Sequence, residues 1–110
     1  MGNNNYDAII IGAGVSGIIM SKYLTGIGIK HIILEKRECF GGIWAYTDDP
    51  NITTVTKKTI MTSSKYFSYF SDLLPKEELP SFITKDDFLN YLKDYVKNMI
   101  SKKILFIIKM

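Results

Sequence analysis

The chain has 110 residues, which is enough for one domain, and its 46% hydrophobic and 23% charged residues are typical of an ordinary soluble globular protein. A net charge of +3 is too small to indicate nucleic-acid binding. The single cysteine, Cys39, excludes an internal disulfide and favours a reducing compartment.

The first predicted element is a strand from Tyr6 to Ile11, because this isoleucine-rich run ends at glycines and indicates a buried parallel strand. The run lacks a preceding basic region and is interrupted by glycines, so it is a poor match to a signal peptide. Apolar side chains at helical spacing then predict a helix that Gly26 and Gly28 bring to an end. These side chains are Val15, Ile18, Ile19 and Tyr23.

A second strand is predicted from His31 to Leu34, and the helix before it has the length of a crossover in a βαβ unit. His31 is the only histidine and stands at the start of this strand, where position favours a structural role over a catalytic one. No second histidine or cysteine stands near it at the spacing of metal ligands, so we expect no metal site.

The sequence pattern loses its period between Glu35 and about Ser71, where we expect turns, short strands or a segment that a ligand orders. Thr84 predicts the start of a second helix, because Thr84 with Asp87 three residues later resembles a capping box. An apolar stripe predicts that this helix packs in the core. The stripe consists of Phe88, Leu89, Leu92, Tyr95, Val96 and Met99.

A last apolar run, Ile104 to Ile108, predicts a third strand and is too short to span a bilayer. The last eighteen residues are basic, which indicates a solvated helix face and chain end rather than a membrane or nucleic-acid patch. The lysines in question are Lys93, Lys97, Lys102, Lys103 and Lys109. Because no targeting signal or membrane segment is legible, we expect a cytoplasmic protein.

Three glycines between the first strand and the first helix have the spacing G-x-G-x-x-G. At such a turn the first glycine allows a tight turn, the second lets a pyrophosphate approach the backbone, and the third lets helix and strand pack closely. Free N–H groups and the positive end of the helix dipole then hold the phosphates. The candidate phosphate-binding residues are Gly12, Gly14, Val15, Ser16 and Gly17.

Glu35 ends the second strand eighteen residues after Gly17, where an acidic side chain accepts hydrogen bonds from ribose hydroxyls. The glycines and the acid together favour dinucleotide binding over a merely structural turn. A carboxylate repels the 2′-phosphate of NADP, so we expect FAD or NAD although Lys36 and Arg37 are adjacent. Glu35 and Lys36 complete the candidate ADP-binding half of the site, which does not by itself separate FAD from NAD.

The order GAGVSG, LEK and FGGIW resembles the N-terminal FAD-binding segment of the flavin-containing monooxygenase family, including its Baeyer–Villiger and N-hydroxylating relatives. The resemblance implies that Gly41 and Gly42 leave space for the flavin side of FAD and that Trp44 packs nearby. Considered alone, these residues could equally form a bulge beside a core tryptophan.

The resemblance extends along nearly the whole chain. The stretches "TSSKYFSYFSD", Thr62 to Asp72, and "LPSFITKDDFLNYLKDYV", Leu79 to Val96, are similar to the family's F-S-D-F-P stretch and its F-L-x-Y-L helix. Two departures are visible: Leu73, Leu74 and Pro75 replace the usual F-P continuation, and Thr62 stands where many members place an asparagine near the oxygen-reacting edge of the flavin.

The resemblance implies an α/β fold, namely a partial doubly wound, Rossmann-type FAD-binding domain with a βαβ unit, a helical segment and a final strand. The implied parent activity is NADPH- and oxygen-dependent monooxygenation with FAD as the cofactor. Family members are several times longer and carry a second glycine fingerprint for NADPH, which these 110 residues lack. We therefore expect residues 1–110 to form a single, incomplete FAD-binding domain without an NADPH-binding domain, catalytically incomplete as it stands.

Two alternatives come from other classes of protein. A fragment of an NAD-dependent dehydrogenase would share the glycines and Glu35, but it would have no reason for Gly41, Gly42 and Trp44. A non-enzymatic nucleotide-binding remnant would keep the binding residues without a reaction. No catalytic acid or base is assigned in any of these interpretations.

Overall fold

The computed structural model of the chain describes residues 5–100 and 104–107. Three parallel strands form one sheet in the order β1-β2-β3, and two α-helices provide the crossovers. The strands are β1 (Ala8–Ile11), β2 (His31–Glu35) and β3 (Leu105–Ile107). The helices are α1 (Val15–Gly26) and α2 (Lys85–Met99). This is the partial Rossmann-type α/β arrangement that the sequence predicted.

The carboxyl ends of β1 and β2 lie side by side, which positions the candidate site. Ala8 pairs with His31 at the start of the two strands. Beyond the last strand residue, the Gly12 N–H still donates to the Leu34 carbonyl oxygen at 2.8 Å. The glycine turn after β1 therefore begins directly beside the acid that ends β2, as ligand sites of open parallel sheets require.

Strand β1 is partly buried on one face and exposed on the other, so the prediction of a buried strand is wrong for half of its residues. Ile9 is 57% exposed and Ile11 is 81% exposed, whereas Ala8 and Ile10 are partly buried. Successive strand side chains point to opposite faces of a sheet. The described part of the chain leaves the face of Ile9 and Ile11 open.

Both helices end or begin where the sequence predicted. Helix α1 ends at Gly26, and Gly28 follows with φ +77°, a backbone conformation that favours glycine, while its N–H donates to the Thr25 carbonyl oxygen at 3.1 Å. Helix α2 begins after Thr84, whose hydroxyl oxygen accepts from the Asp87 N–H at 3.1 Å. Such a cap is worth about 1 kcal/mol.

The core lies between α1, α2 and the sheet and consists of two clusters of buried residues. One contains Ile18, Tyr95 and Ile100, and the other contains Ile83, Phe88 and Leu92. The predicted apolar stripe of α2 is confirmed, because its other members, Leu89, Val96 and Met99, are partly buried. On the opposite face of α2, Lys93 and Lys97 are exposed as predicted. Ile108 and the lysines Lys102, Lys103 and Lys109 lie outside the described residues.

The segment between β2 and α2 consists of turns, as expected from its lack of period. It contains two short 3₁₀ turns, Gly42–Trp44 and Lys65–Phe67, and an isolated antiparallel bridge between Ile60 and Thr84. Lys65 is 2% exposed, and its ammonium donates to three backbone carbonyl oxygens at 2.6–3.0 Å. These carbonyls belong to Lys76, Glu77 and Leu79. A buried lysine thus holds part of this segment in place.

Candidate functional site

The first and third glycines of the turn after β1 are required by the chain itself. Gly12 has φ +99°, which residues with a side chain rarely adopt. A Cβ atom at Gly17 would lie 2.1 Å from the Gly12 carbonyl oxygen, far inside contact distance. The tight turn and the close approach of helix to strand, which the spacing predicted for these two positions, are both present.

Gly14 stands at the N-cap of α1 and leaves the start of the helix bare. Its backbone is extended (φ −79°, ψ −170°), and the first helical hydrogen bond runs from the Ile18 N–H to the Gly14 carbonyl oxygen at 3.0 Å. The N–H groups of Val15, Ser16 and Gly17 therefore have no acceptor within the helix. Such groups, together with the helix dipole, can bind a phosphate.

Glu35 is buried and oriented by two backbone donors. One carboxylate oxygen accepts from the Ala13 N–H at 2.8 Å, and the other accepts from the Arg37 N–H at 2.9 Å. The first bond ties the acid to the glycine turn, so the two parts of the sequence fingerprint meet in space. Each carboxylate oxygen can accept a further hydrogen bond, for example from a ribose hydroxyl. The next residue, Lys36, is exposed.

Gly41 and Gly42 form a turn that packs directly on the glycine turn. Both have positive φ, +115° and +57°, and the Gly41 N–H donates to the Ala13 carbonyl oxygen at 2.8 Å. A Cβ atom at Gly42 would lie 3.0 Å from Gly14 Cα, and one at Gly41 would lie 2.7 Å from a methyl carbon of Leu89. The chain itself therefore needs a bare backbone here, in addition to any space that a flavin requires.

Trp44 contacts the second helix. Its ring lies 4.8 Å from that of Phe88 between centroids, at an interplanar angle of 60°. Edge-to-face pairs of this kind contribute about 1 kcal/mol beyond their area burial. Trp44 is half-buried and packs against the cluster that contains Phe88, so it joins the Gly41–Gly42 turn to α2.

Thr62 lies apart from this network. It is exposed, and the neighbouring Met61 N–H donates to the Ile83 carbonyl oxygen at 2.9 Å just before α2. The hydrogen bonds that join the glycine turn, Glu35 and Gly41 do not include it. Its assignment to the site stays a prediction.

Sequence reasoning missed the role of two residues. Ala13 is fully buried, and its backbone bonds to both Glu35 and Gly41. The Arg37 guanidinium donates to the carbonyl oxygens of Gly42 and Ala45 at 3.0 and 2.7 Å. The sequence did offer a signal for Arg37. Its guanidinium carries a planar set of N–H donors, and it stands a few residues before the Gly41–Gly42 turn, whose backbone carbonyls need hydrogen-bond partners.

His31 has a structural role, as predicted. It is buried, and its Nδ1 lies 2.9 Å from the Ile29 carbonyl oxygen, to which it donates. The other ring nitrogen then accepts from the Ser21 hydroxyl at 2.7 Å. In residues 5–100 and 104–107 no group of three His, Cys, Asp or Glu side chains is placed to hold a metal ion.

No helix within the described residues is both long and apolar enough to cross a membrane.

Comparison with known families gives one match over most of the chain. Residues 6–109 match the family described as flavin-binding monooxygenase-like.

Two relatives and one solved structure illustrate the range of the similarity. The 4-hydroxybenzoate brominase (decarboxylating) of Marinomonas mediterranea is 38% identical over 88% of this chain and 18% of its own length. Human flavin-containing monooxygenase 1 is 31% identical over 81% of this chain and 17% of its own length. The crystal structure of OTEMO in complex with FAD and NADP superposes with a TM-score of 0.74 at 24% identity, over 96% of this chain and 20% of that one. The chain thus spans about one fifth of the proteins that it resembles.

Proposed function

The chain belongs to the flavin-binding monooxygenase-like family, and from this premise we propose that it is the FAD-binding portion of an NADPH- and oxygen-dependent flavin monooxygenase. The three described strands form one sheet, and α1 packs against both that sheet and α2, so we propose that these elements act as a single FAD-binding domain. The observation that carries the proposal is the hydrogen bond between Glu35 and Ala13, which joins the acid to the bare helix start.

The residues of the ADP half fit a dinucleotide. The free N–H groups of Val15, Ser16 and Gly17 at the start of α1 would hold the pyrophosphate, which Gly14 lets approach the backbone. The Glu35 carboxylate, already oriented by two N–H donors, would accept from the ribose hydroxyls. Its negative charge disfavours a 2′-phosphate, which favours FAD over NADP at this position.

The residues of the flavin half follow from the family. Gly41, Gly42 and Trp44 would border the flavin, and Thr62 would lie near the flavin edge, whereas the exposed Lys36 would lie beside the ribose in the ADP half. When bound, FAD supplies the redox chemistry, taking electrons from a reduced nicotinamide and passing them to oxygen. The chain's own contribution is to bind and orient the cofactor. Relatives that share this portion include a brominase and a monooxygenase, which supports a common binding role rather than one substrate.

The proposal is tested by titrating the chain with FAD, FMN and NAD and following flavin fluorescence and heat of binding. We expect FAD to bind, and Gly14→Val to abolish its retention, because the side chain occupies the space of the pyrophosphate. Gly14→Ala is a second variant, because its Cβ would meet Gly42 Cα at an ordinary 3.6 Å and the cofactor-free fold can accommodate it.

Gly26→Val is the matched control, since a Cβ there meets nothing within 4 Å at the other end of α1. We expect it to retain FAD. Undiminished FAD binding in Gly14→Val would contradict the assignment, and preference for NAD over FAD would favour the dehydrogenase alternative.

A further inference from the structure

The Arg37 side chain bridges the end of β2 and the Gly42–Trp44 turn. Its Nη1 donates to the Gly42 carbonyl oxygen at 3.0 Å and its Nη2 donates to the Ala45 carbonyl oxygen at 2.7 Å. Its backbone N–H donates to the Glu35 carboxylate at 2.9 Å. We propose that Arg37 is a positioning residue that fixes the Gly42–Trp44 turn, on the proposed flavin side, relative to Glu35, the proposed ribose acceptor.

The guanidinium is suited to this task by its shape. Gly42 and Ala45 are the first residue of the 3₁₀ turn and the residue that ends it, so their carbonyls lie at its two ends. A planar fork of donors can hold two such acceptors at once, whereas a lysine ammonium is a point charge without a fixed fork. Ala45 is 6% exposed, so water has little access to replace the bond there.

Arg37 acts where the glycine turn after β1 meets the Gly42–Trp44 turn. The turn that Arg37 holds begins at Gly42, and the close approach of Gly42 to Gly14 leaves 3.0 Å between a Gly42 Cβ position and Gly14 Cα. Trp44 lies within the same turn and reaches α2 through Phe88. A shift of this turn would therefore move the flavin-side residues while the helix start and Glu35 keep their own hydrogen bonds.

This inference rests on the proposed function for its effect on FAD, and it predicts an unequal effect on the two halves of the cofactor. ADP contacts the glycine turn and the acid but has no flavin, so its affinity should not depend on the Gly42–Trp44 turn. FAD occupies both halves and should lose affinity when the turn is released.

The experiment compares FAD and ADP affinities of the chain with those of Arg37→Lys and Arg37→Met. Arg37→Lys keeps the positive charge and removes only the fork, so it serves if the methionine variant fails to fold. We expect FAD to weaken about tenfold or more in both variants, as loss of a charge-assisted hydrogen bond implies, and ADP to stay within about twofold. Lys58→Met, an exposed lysine on a turn, is the control for loss of charge and should change neither affinity.

A second measurement needs no cofactor. Trp44 is the only tryptophan, so quenching of its fluorescence by acrylamide reports on the Gly42–Trp44 turn alone. We expect quenching to increase in both Arg37 variants at unchanged helix content, and to stay at the wild-type value in Lys58→Met.

The outcomes separate the two proposals. Equal weakening of FAD and ADP, unchanged FAD affinity, or unchanged Trp44 quenching in the Arg37 variants would overturn the positioning role, while the proposed FAD binding would stand. If the wild-type chain binds no FAD, the proposed function fails, and increased Trp44 quenching would still support Arg37 as the residue that fixes the turn.

Discussion

At the scale of single residues, the backbone orients the Glu35 carboxylate, which we propose to bind the ribose, in the absence of any ligand. Its two oxygens are held by the N–H groups of Ala13 and Arg37, on either side of the carboxylate. Neither donor is a side chain, so the orientation follows from the backbone path of the glycine turn and of the residues after β2. Removing the carboxylate would therefore remove the proposed ribose acceptor and also take away a hydrogen-bond partner of the glycine turn.

We predict that Glu35→Ala weakens FAD binding by about 1.5 to 3 kcal/mol, the usual contribution of a hydrogen bond to a charged group. FMN lacks the ADP ribose, so its binding should change much less. Glu35→Gln is the matched variant, because it keeps one carbonyl oxygen for a backbone donor. Parallel titrations with the two flavins provide the measurement. Equal losses for FAD and FMN would mean that Glu35 acts only on the fold.

The residues of the glycine turn could be predicted from sequence because their spacing encodes local geometry. Gly12 and Gly17 stand where a turn and a close contact need them, within a few residues of each other. The partners of Arg37 and Lys65 could not be predicted, because they are backbone carbonyls. Any residue carries a carbonyl, so the sequence does not mark which ones a distant side chain reaches.

At the scale of elements, one cluster of polar groups joins the two helices. Lys22 on α1 lies 3.3 Å from the Asp72 carboxylate, to which the buried Tyr95 of α2 donates its hydroxyl hydrogen at 3.1 Å. Burial, with the adjacent Asp72 carboxylate, raises the pKa of Tyr95 well above its usual value. Although desolvation acts to raise the pKa of Asp72, its bonds with Tyr95 and Lys22 hold it below the usual value.

These pKa shifts predict a pH dependence of stability. Above about pH 10 tyrosine ionises in the unfolded chain while Tyr95 in the folded chain keeps its proton, so the stabilisation from Tyr95 is present below pH 10 and falls as pH rises further. The contribution of Asp72 has the opposite sign, being present above about pH 4 and lost as pH falls further.

We expect Tyr95→Phe to lower the free energy of unfolding by about 1 kcal/mol at pH 7, because it removes the hydrogen bond to Asp72. Its difference from the wild-type chain should shrink as pH rises above 10. Denaturant unfolding across pH measures both effects, and Tyr66→Phe is the control because Tyr66 is 52% exposed. A difference that stays constant with pH would contradict the assigned shift of Tyr95.

Elements were predictable where the sequence carries a local signal. In α2 these signals are the periodic apolar stripe and the Thr84 cap. For the segment between β2 and α2 the sequence predicted turns but not their path, because long-range hydrogen bonds define that path. Examples are the three carbonyls held by Lys65 and the Tyr91 hydroxyl, which accepts from the Phe70 N–H at 2.8 Å. Such bonds leave no local periodicity in the sequence.

At the scale of the whole molecule, strand β1 has one exposed face, whereas the neighbouring strand β2 is buried along nearly its whole length. Ile9 and Ile11 are exposed on β1, which is an edge strand of the described sheet. Exposed apolar side chains beside an unpaired strand edge promote association. We predict that Ile11→Thr reduces fluorescence of the dye ANS and slows concentration-dependent self-association, both measured on the isolated chain.

Ile27→Thr is the matched control, because Ile27 is 71% exposed but lies at the end of α1 rather than on the sheet. We expect it to change ANS fluorescence and association much less than Ile11→Thr. Equal effects of the two substitutions would mean that exposed apolar area alone, and not its position on the edge strand β1, controls association.

The parallel order of the sheet also has a consequence for how the chain folds. Ala8 pairs with His31, whereas Ile33 pairs with Leu105 across roughly three times as many residues. The entropic cost of closing a loop increases by about 0.6 kcal/mol with each doubling of loop length. Closing the longer loop between Ile33 and Leu105 therefore costs about 1 kcal/mol more. The lower cost of the shorter loop therefore favours a folding nucleus of β1, α1 and β2, to which β3 is added last. The glycine turn and Glu35 both belong to that nucleus, so the proposed ADP-binding residues would come together before β3 joins the sheet.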